Sequence, residues 1–253
     1  MHYFDSYSNK SKLRNMHPSS KMAFFTIFTV MALISQSILI SSLILVSSML
    51  ATVFTARVSL FKLIRLMVIP LLFLITGVFA VSIETKTNEA VFQLLIFNTP
   101  FCVSKIGATK AVHLFMRSIS SISVLYFLIL NTPINDIIYQ LRQLKVPSII
   151  LEITTLIYHN IFVLMGCANA IHRSQKSRLG YRNLSVSMRS LGQLGGRTFV
   201  LANTRANHLY RSMESRCYTG EIQMAPRVWK LNKGFVAMAT LLAIFVSVLL
   251  AFC

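Results

Sequence analysis

The residues best equipped for chemistry in this chain are two short Ser-Arg words. Ser177-Arg178-Leu179 runs directly into Gly180, and Ser215-Arg216-Cys217 is followed shortly by Gly220. A guanidinium offers five donors in a fixed fork, which match a carboxylate or the carbonyls left open at a helix end. A small residue beside the arginine lets a helix end approach another protein closely. The chemistry on offer is therefore recognition rather than bond-making. Arg178 and Arg216 lie 38 residues apart and could dock onto two equivalent subunits. Met213 and Glu214 lead directly into the second word and belong to the same supporting segment.

Other reactive groups are sparse. The six histidines form no pair at i,i+4, and Cys102, Cys167, Cys217 and Cys253 show no CxxC spacing. Neither a zinc site nor a disulfide framework is indicated. There is no P-loop, no GxSxG and no HExxH. His159, beside Asn160 in an apolar run, reads as a satisfied structural histidine. Glu152, in the same run, reads as facing water or an arginine. A membrane enzyme using a basic face on anionic lipid would need paired carboxylates or a His/Asp set, and Glu214 with Glu221 is a poor pair. The chain is expected not to be an enzyme and to hold no cofactor or metal of its own.

The words sit in a basic stretch, His172 to Lys233, with twelve Lys/Arg against Glu214 and Glu221. Leu184-Ser185 leads into a helix over Val186–Leu194, and Gly192, Gly195 and Gly196 punctuate its end. A second amphipathic helix follows over Arg197–Cys217, with Gly220 suited to a C-terminal stop. The expected arrangement is helix, glycine-rich bend, helix. The bland alternative is a basic surface lying on anionic lipid.

The rest of the chain is apolar. Of 253 residues, 55% are hydrophobic and 13% charged, with mean hydropathy +0.64. A soluble domain is about a quarter charged. The formal charge of +18 would point a soluble protein toward nucleic acid. In a membrane protein it points first to cytoplasmic loops and anionic lipid, so nucleic acid is not expected as a partner.

Residues 1–21 form a polar tail ending at Pro18-Ser19-Ser20. Met22 to Ala56 carries no charge over 35 residues. As one helix it would be about 52 Å long against a hydrocarbon core of about 30 Å. Ser35-Gln36-Ser37 is its polar break, which predicts a hairpin of spans near 22–34 and 38–56. The alternative is one long tilted helix. Arg57, Lys62 and Arg65 form a basic connection, and Pro70 opens the next span, 67–83, from its first turn. Ala90 to Val103 is too short to cross and reads as interfacial or re-entrant, although a further crossing pair there stays open. A span over 111–130 carries His113 and Arg117 in its first turns, where Arg can snorkel. Residues 134–147 predict an amphipathic helix with Ile137, Ile138, Leu141 and Leu144 on one face. Ser148–Ala170 is apolar, but a crossing there would put the twelve cations outside, so it is expected to lie along the inner face. Gly234–Cys253 is a last span, anchored by Trp229, Lys230 and Lys233.

The fold class that follows is all-α and polytopic, with about five spans. A cytoplasmic tail (1–21) precedes a membrane domain (22–131). A cytoplasmic domain of long amphipathic helices (132–233) and a C-terminal span (234–253) complete it. The N-terminus and the basic domain lie inside.

RLGYRNLSVSMRSLG followed by LYRSMESRCYTGEI resembles the coupling region of the CbiQ family, the transmembrane T components of cobalt transporters of the energy-coupling factor class. QLKVPSIILEITTLIYHNIFVL is similar to the family's helix leading into that region, and HPSSKM to its N-terminal lead-in. The likeness covers nearly the whole chain and is densest from Leu141 to Ile222. It implies a multi-pass protein of the cell inner membrane whose two Ala-Arg-Gly-like motifs dock onto two ABC-type ATPase subunits. The motifs fall on Ser177-Arg178-Leu179 and Ser215-Arg216-Cys217; serine replaces alanine, and Leu179 and Cys217 replace glycine. It further implies a substrate-binding S component (CbiM-like), a small accessory membrane subunit (CbiN-like), and ATP and metal ion handled by these partners. Cobalt for cobalamin synthesis is the implied cargo, with nickel or a vitamin as the alternative.

Overall fold

A computed structural model describes residues 7–8, 11–35, 37–84, 90–96, 99–218, 220, 229 and 233–252. The chain divides into two compact units: unit 1 is Met1–Ile137 with Arg227–Cys253, and unit 2 is Ile138–Pro226.

Unit 1 is built around one long helix. The charge-free run breaks at Ser35–Ser37 into α1 (Pro18–Ile34) and α2 (Ile38–Ala56). Pro18 takes the first helical position, where its missing N–H costs nothing, and His17 Nδ1 accepts from Ser19 N at 3.3 Å. Lys12 N donates to Thr55 O at 2.9 Å, which brings the start of α1 beside the end of α2. The two helices are therefore antiparallel, and the hairpin replaces the single tilted helix. Arg57, in the left-handed region (φ 53), ends α2.

α3 (Leu60–Ser82) starts earlier than the hydropathy boundary because Lys62 and Arg65 join the helix. Both are good helix formers with long stems that let the charge leave an apolar surface. Pro70 consequently lies inside α3, not in its first turn. A mid-helix proline leaves the carbonyl four residues back without a donor. Here that carbonyl is Leu66 O, and Tyr126 Oη donates to it at 2.9 Å.

Within the short apolar run at 90–103, residues 90–96 and 99–103 are extended. β1 (Ile83–Glu84), β2 (Ala90–Ile96) and β3 (Thr99–Ser104) form an antiparallel sheet in the order β1-β3-β2, with Ile96 opposite Thr99. This small sheet is an addition to an otherwise helical fold. Pro100 disfavours helix at the residue before it, Thr99, where β3 begins.

α4 (Lys105–Asn131) is the central helix and makes the most extensive contacts with α1, α2 and α3. It also starts early, so Arg117 is mid-helix and half-buried, not near an end where it could snorkel. Phe24 stacks on Phe28 (centroids 4.3 Å apart) and meets Phe127 of α4 at 4.6 Å. Ile40, Ile44, Val124 and, from α8 (Lys233–Phe252), Val246 complete this core. Ser48 Oγ donates to Ser123 Oγ at 2.7 Å, a buried polar clasp between α2 and α4. Trp229 meets His17 edge-on at 5.4 Å, while Lys230 and the Lys233 side chain lie outside the described parts.

α5 (Ile134–Gln143) carries the chain into unit 2. Ile138 is buried, but Leu144 lies past the helix end and is exposed, so it leaves the expected apolar face. α6 (Ser148–Ser177) and α7 (Leu184–Glu214) pack together in unit 2. α7 is one continuous helix: there is no bend at Gly192, Gly195 or Gly196. Each glycine costs about 1 kcal/mol relative to alanine, which the good helix formers around them outweigh.

Among the described residues, four helices are long and apolar enough to cross a membrane: Ile38–Ala56, Leu60–Val81, Thr109–Asn131 and Ser148–Ser177. Pro18–Ile34 and Val236–Leu249 are apolar but shorter. The fold is that of a multi-pass helical membrane protein. By length and composition α6 meets the same criterion as the other three, and only its charge pattern sets it apart.

Candidate functional site

Both Ser-Arg words sit on the C-terminal turn of a long helix, and the two turns have the same backbone. At the end of α6, Leu179 N donates to Lys176 O (3.1 Å) and Gly180 N to Gln175 O (2.8 Å). At the end of α7, Cys217 N donates to Glu214 O (3.0 Å) and Tyr218 N to Met213 O (3.1 Å). In each case the bond pair is that of a Schellman motif, in which one residue must turn left-handed. Those residues are Leu179 (φ 59) and Cys217 (φ 56). A non-glycine residue there costs roughly 1–2 kcal/mol. Leu179 and Cys217 thus keep the turn that glycine would make without that cost.

In both turns the arginine stands one residue before the left-handed one. A cation is favoured there by the unpaired carbonyls of the helix end. Arg178 and Arg216 are exposed, and neither forms an ion pair among the described residues. The serines face inward to their own helices: Ser177 Oγ donates to Arg173 O (3.1 Å) and Ser215 Oγ to Ser212 O (3.0 Å). They satisfy themselves, and the guanidinium is the group left for a partner.

The first turn is braced by α7. Tyr181 Oη donates to Gln175 Oε1 (2.8 Å), Gln175 Nε2 donates to Ser190 O (3.0 Å), and Ser190 Oγ donates to Gly180 O (2.7 Å). A Cβ on Gly180 would lie 2.8 Å from Gln175 O and 2.9 Å from Ser190 Oγ, so only glycine fits. His172 packs its ring 4.6 Å from that of Tyr181. The second turn is held by Tyr218 Oη, which donates to the Glu152 carboxylate near the start of α6. That carboxylate beside it pushes the Tyr218 phenol up to about 12. Glu152, half-buried, thus accepts from a tyrosine that sequence reasoning did not pair with it.

These contacts also fix the direction of the helices. The end of α6 meets the start of α7, and the end of α7 meets the start of α6. The pair is antiparallel, so the two arginines sit at opposite ends, about 45 Å apart along a helix of α7's length. Between them a groove of about 520 Å³ is lined by Leu156, Ile157 and Leu164 of α6 and Ala206, Leu209 and Met213 of α7.

Some expectations fail. Gly220 (φ 95) lies beyond the turn, and the stop is made by Cys217 instead, because the backbone pairing completes before residue 220 is reached. Glu214 contributes its carbonyl to the turn, and its side chain is exposed. His159 is exposed, not a buried structural histidine, because it falls on the outer face of α6; Asn160 bonds its own helix through Leu156 O. The two tyrosines were the missed signal: each follows its left-handed residue closely, in the words RLGYR and RCYTG. Among the described residues, no three His, Cys, Asp or Glu side chains converge as a metal site would need.

The class defined here is a multi-pass membrane protein carrying a two-helix unit with matched arginine-bearing ends. Residues 9–226 match the family model of CbiQ, cobalt transport protein, and the chain belongs to that family. It is 28% identical over 246 residues to a Methanocaldococcus jannaschii protein designated MJ1089, covering 97% of this chain and 91% of that one. It is 28% identical over 170 residues to the cobalt transport protein CbiQ of Salmonella typhimurium (66% and 76% covered). It is also 27% identical over 254 residues to a fused cobalt transport protein, CbiMQ, of Methanocorpusculum labreanum. There it spans 99% of its own length and 41% of the fusion.

Proposed function

We propose that the chain is the transmembrane scaffold and coupling (T) subunit of an energy-coupling factor importer, serving cobalt uptake for cobalamin synthesis. The observation that carries this reading is the pair of matching Schellman turns, each presenting an exposed arginine that forms no ion pair among the described residues, at opposite ends of one antiparallel helix pair. Two equal presentations suit two copies of one partner surface. In this reading each guanidinium seats in a groove of one ABC-type ATPase subunit, and opening and closing of the ATPase pair moves α6 and α7. The arginines anchor; they perform no reaction. ATP and the metal ion are handled by the partner subunits, and the chain holds no cofactor.

The membrane partner is a CbiM-like substrate-binding component, with a CbiN-like accessory subunit. The fused relative supports this, since its name joins a CbiM part to the part that this chain matches. The apolar groove between α6 and α7 is the surface offered to such a component. The N-terminus and unit 2 lie on the cytoplasmic side of the cell membrane, where the cations of 172–233 meet anionic lipid.

The test is recovery of the tagged chain from its native membranes in mild detergent, with mass spectrometry of what accompanies it. Two ABC-type ATPase polypeptides, or one in twofold excess, with a small membrane protein are expected. The chain arriving alone, where other membrane complexes survive, overturns the coupling reading. A nickel- or vitamin-binding S component in place of a CbiM-like one overturns the cargo alone.

A further inference from the structure

At the end of unit 1 where α1 begins, a lysine and an aspartate are buried in the helical bundle. Lys21, in the first turns of α1, is fully buried. Its Nζ donates to Asn131 O, at the end of α4, at 3.2 Å. It lies 4.0 Å from Oδ2 of Asp136, which is itself buried in the first turn of α5. Asn131 Nδ2 donates to Phe127 O (3.0 Å), and its Oδ1 accepts from Ser11 Oγ at 2.6 Å. Thr55 O, near the end of α2, is 3.1 Å from the same hydroxyl. One polar knot thus joins the segment before α1 with the ends of α1, α2, α4 and α5.

Charges taken out of water are expensive unless paired, and this chain has only seven acids to pair with. Asp136 is spent at a particular place. Its carboxylate suits the positive end of α5, and two residues later the chain passes from unit 1 into unit 2. Between α4 and α5 there are only Thr132 and Pro133. Without a fastening, α5 could swing about that short link.

We propose that Lys21 and Asp136 are positioning residues for coupling: the pair clamps the root of α5 to α1 and α4. Displacement of α6 and α7 is then delivered to the membrane bundle and not absorbed at Thr132-Pro133. This rests on the coupling role proposed above.

The test compares Asp136→Asn with the double variant Lys21→Met/Asp136→Asn in the full chain, co-expressed with its partner subunits. The single variant strands a buried cation and is expected to lower the amount of chain in membranes. The double variant removes both the cation and the anion, leaving no buried charge of the pair. It is expected to return to wild-type abundance and to recover ATPase subunits at the wild-type ratio. Hydrogen exchange at amides 137–143 should nevertheless be at least tenfold faster, and metal uptake per ATP hydrolysed at least fivefold lower. Wild-type protection of α5 in the double variant overturns the clamp. So does failure of the double variant to accumulate, which would make the pair a stability element only. Loosened α5 with unchanged uptake per ATP overturns its part in coupling. A wild-type chain that recovers no ATPase sinks the coupling reading itself, and exchange at α5 still decides the clamp.

Discussion

The turn at the end of α6 is braced from several directions, whereas among the described residues the turn at the end of α7 is tied to α6 by one side-chain bond. Both make the same backbone turn and show the same arginine to the outside. Behind Arg178 stand Gln175, Ser190, Tyr181 and a glycine with no room for a methyl group. Behind Arg216 stands Tyr218, reaching back to Glu152. The difference teaches that the motif and its support are separate inventions. The left-handed turn sets where the guanidinium points, and the brace sets how firmly the helix end is held to its neighbour.

The largest effects should come from reversing the presented charge. Arg178→Glu and Arg216→Glu should each reduce recovery of the ATPase partners at least tenfold at matched membrane levels, because in the proposed coupling role each enters a contact that selects a cation. If the braced end is the firmer anchor, Arg178→Glu is the worse of the two. Unchanged recovery and uptake in both variants would break the anchoring role. Next comes Gly180→Ala, which forces a methyl group against Gln175 O and should cost about 1–3 kcal/mol, read as a lower melting temperature in detergent. No loss would mean that the first turn is not braced as tightly as the contacts indicate.

Smaller effects probe the shared backbone. Leu179→Gly and Cys217→Gly should each stabilise by up to about 1 kcal/mol, by relieving the left-handed residue. Equal gains would sharpen the equivalence of the two turns, and a gain at one alone would break it. The smallest effect is confined to alkaline solution. The Tyr218 phenol is raised from its ordinary value of 10 to about 12 by its bond to Glu152. Its support of the second turn is therefore complete below pH 10 and lost as pH climbs toward 12. Tyr218→Phe should melt lower than wild type at pH 8, and the gap should close across that window. A gap unchanged from pH 8 to 12 would detach Tyr218 from the turn.

Much of the helical layout is visible in the residues themselves. The charge-free run from Met22 to Ala56 exceeds one bilayer crossing, and Ser35-Gln36-Ser37 is where it breaks. The Ser-Arg words announce their own importance by recurring. Hydropathy alone misplaces the starts of α3 and α4, because Lys62, Arg65 and Lys105 extend helices past the apolar boundary. The glycines of α7 look like a bend because glycine usually punctuates, yet propensity is a weak term against a long run of helix formers. Leu179 and Cys217 give no local sign of a left-handed turn.

Composition, periodicity and the repeated words determined that this is a multi-pass helical protein with a basic unit carrying two Ser-Arg words. These properties depend on the chain's own residues and on water or lipid alone. Tertiary structure decided which distant groups meet: Tyr126 with the carbonyl freed by Pro70, Tyr218 with Glu152, and Lys21 with Asp136. Each meeting joins residues far apart in sequence. It depends on how helices pack, and no local pattern encodes that geometry.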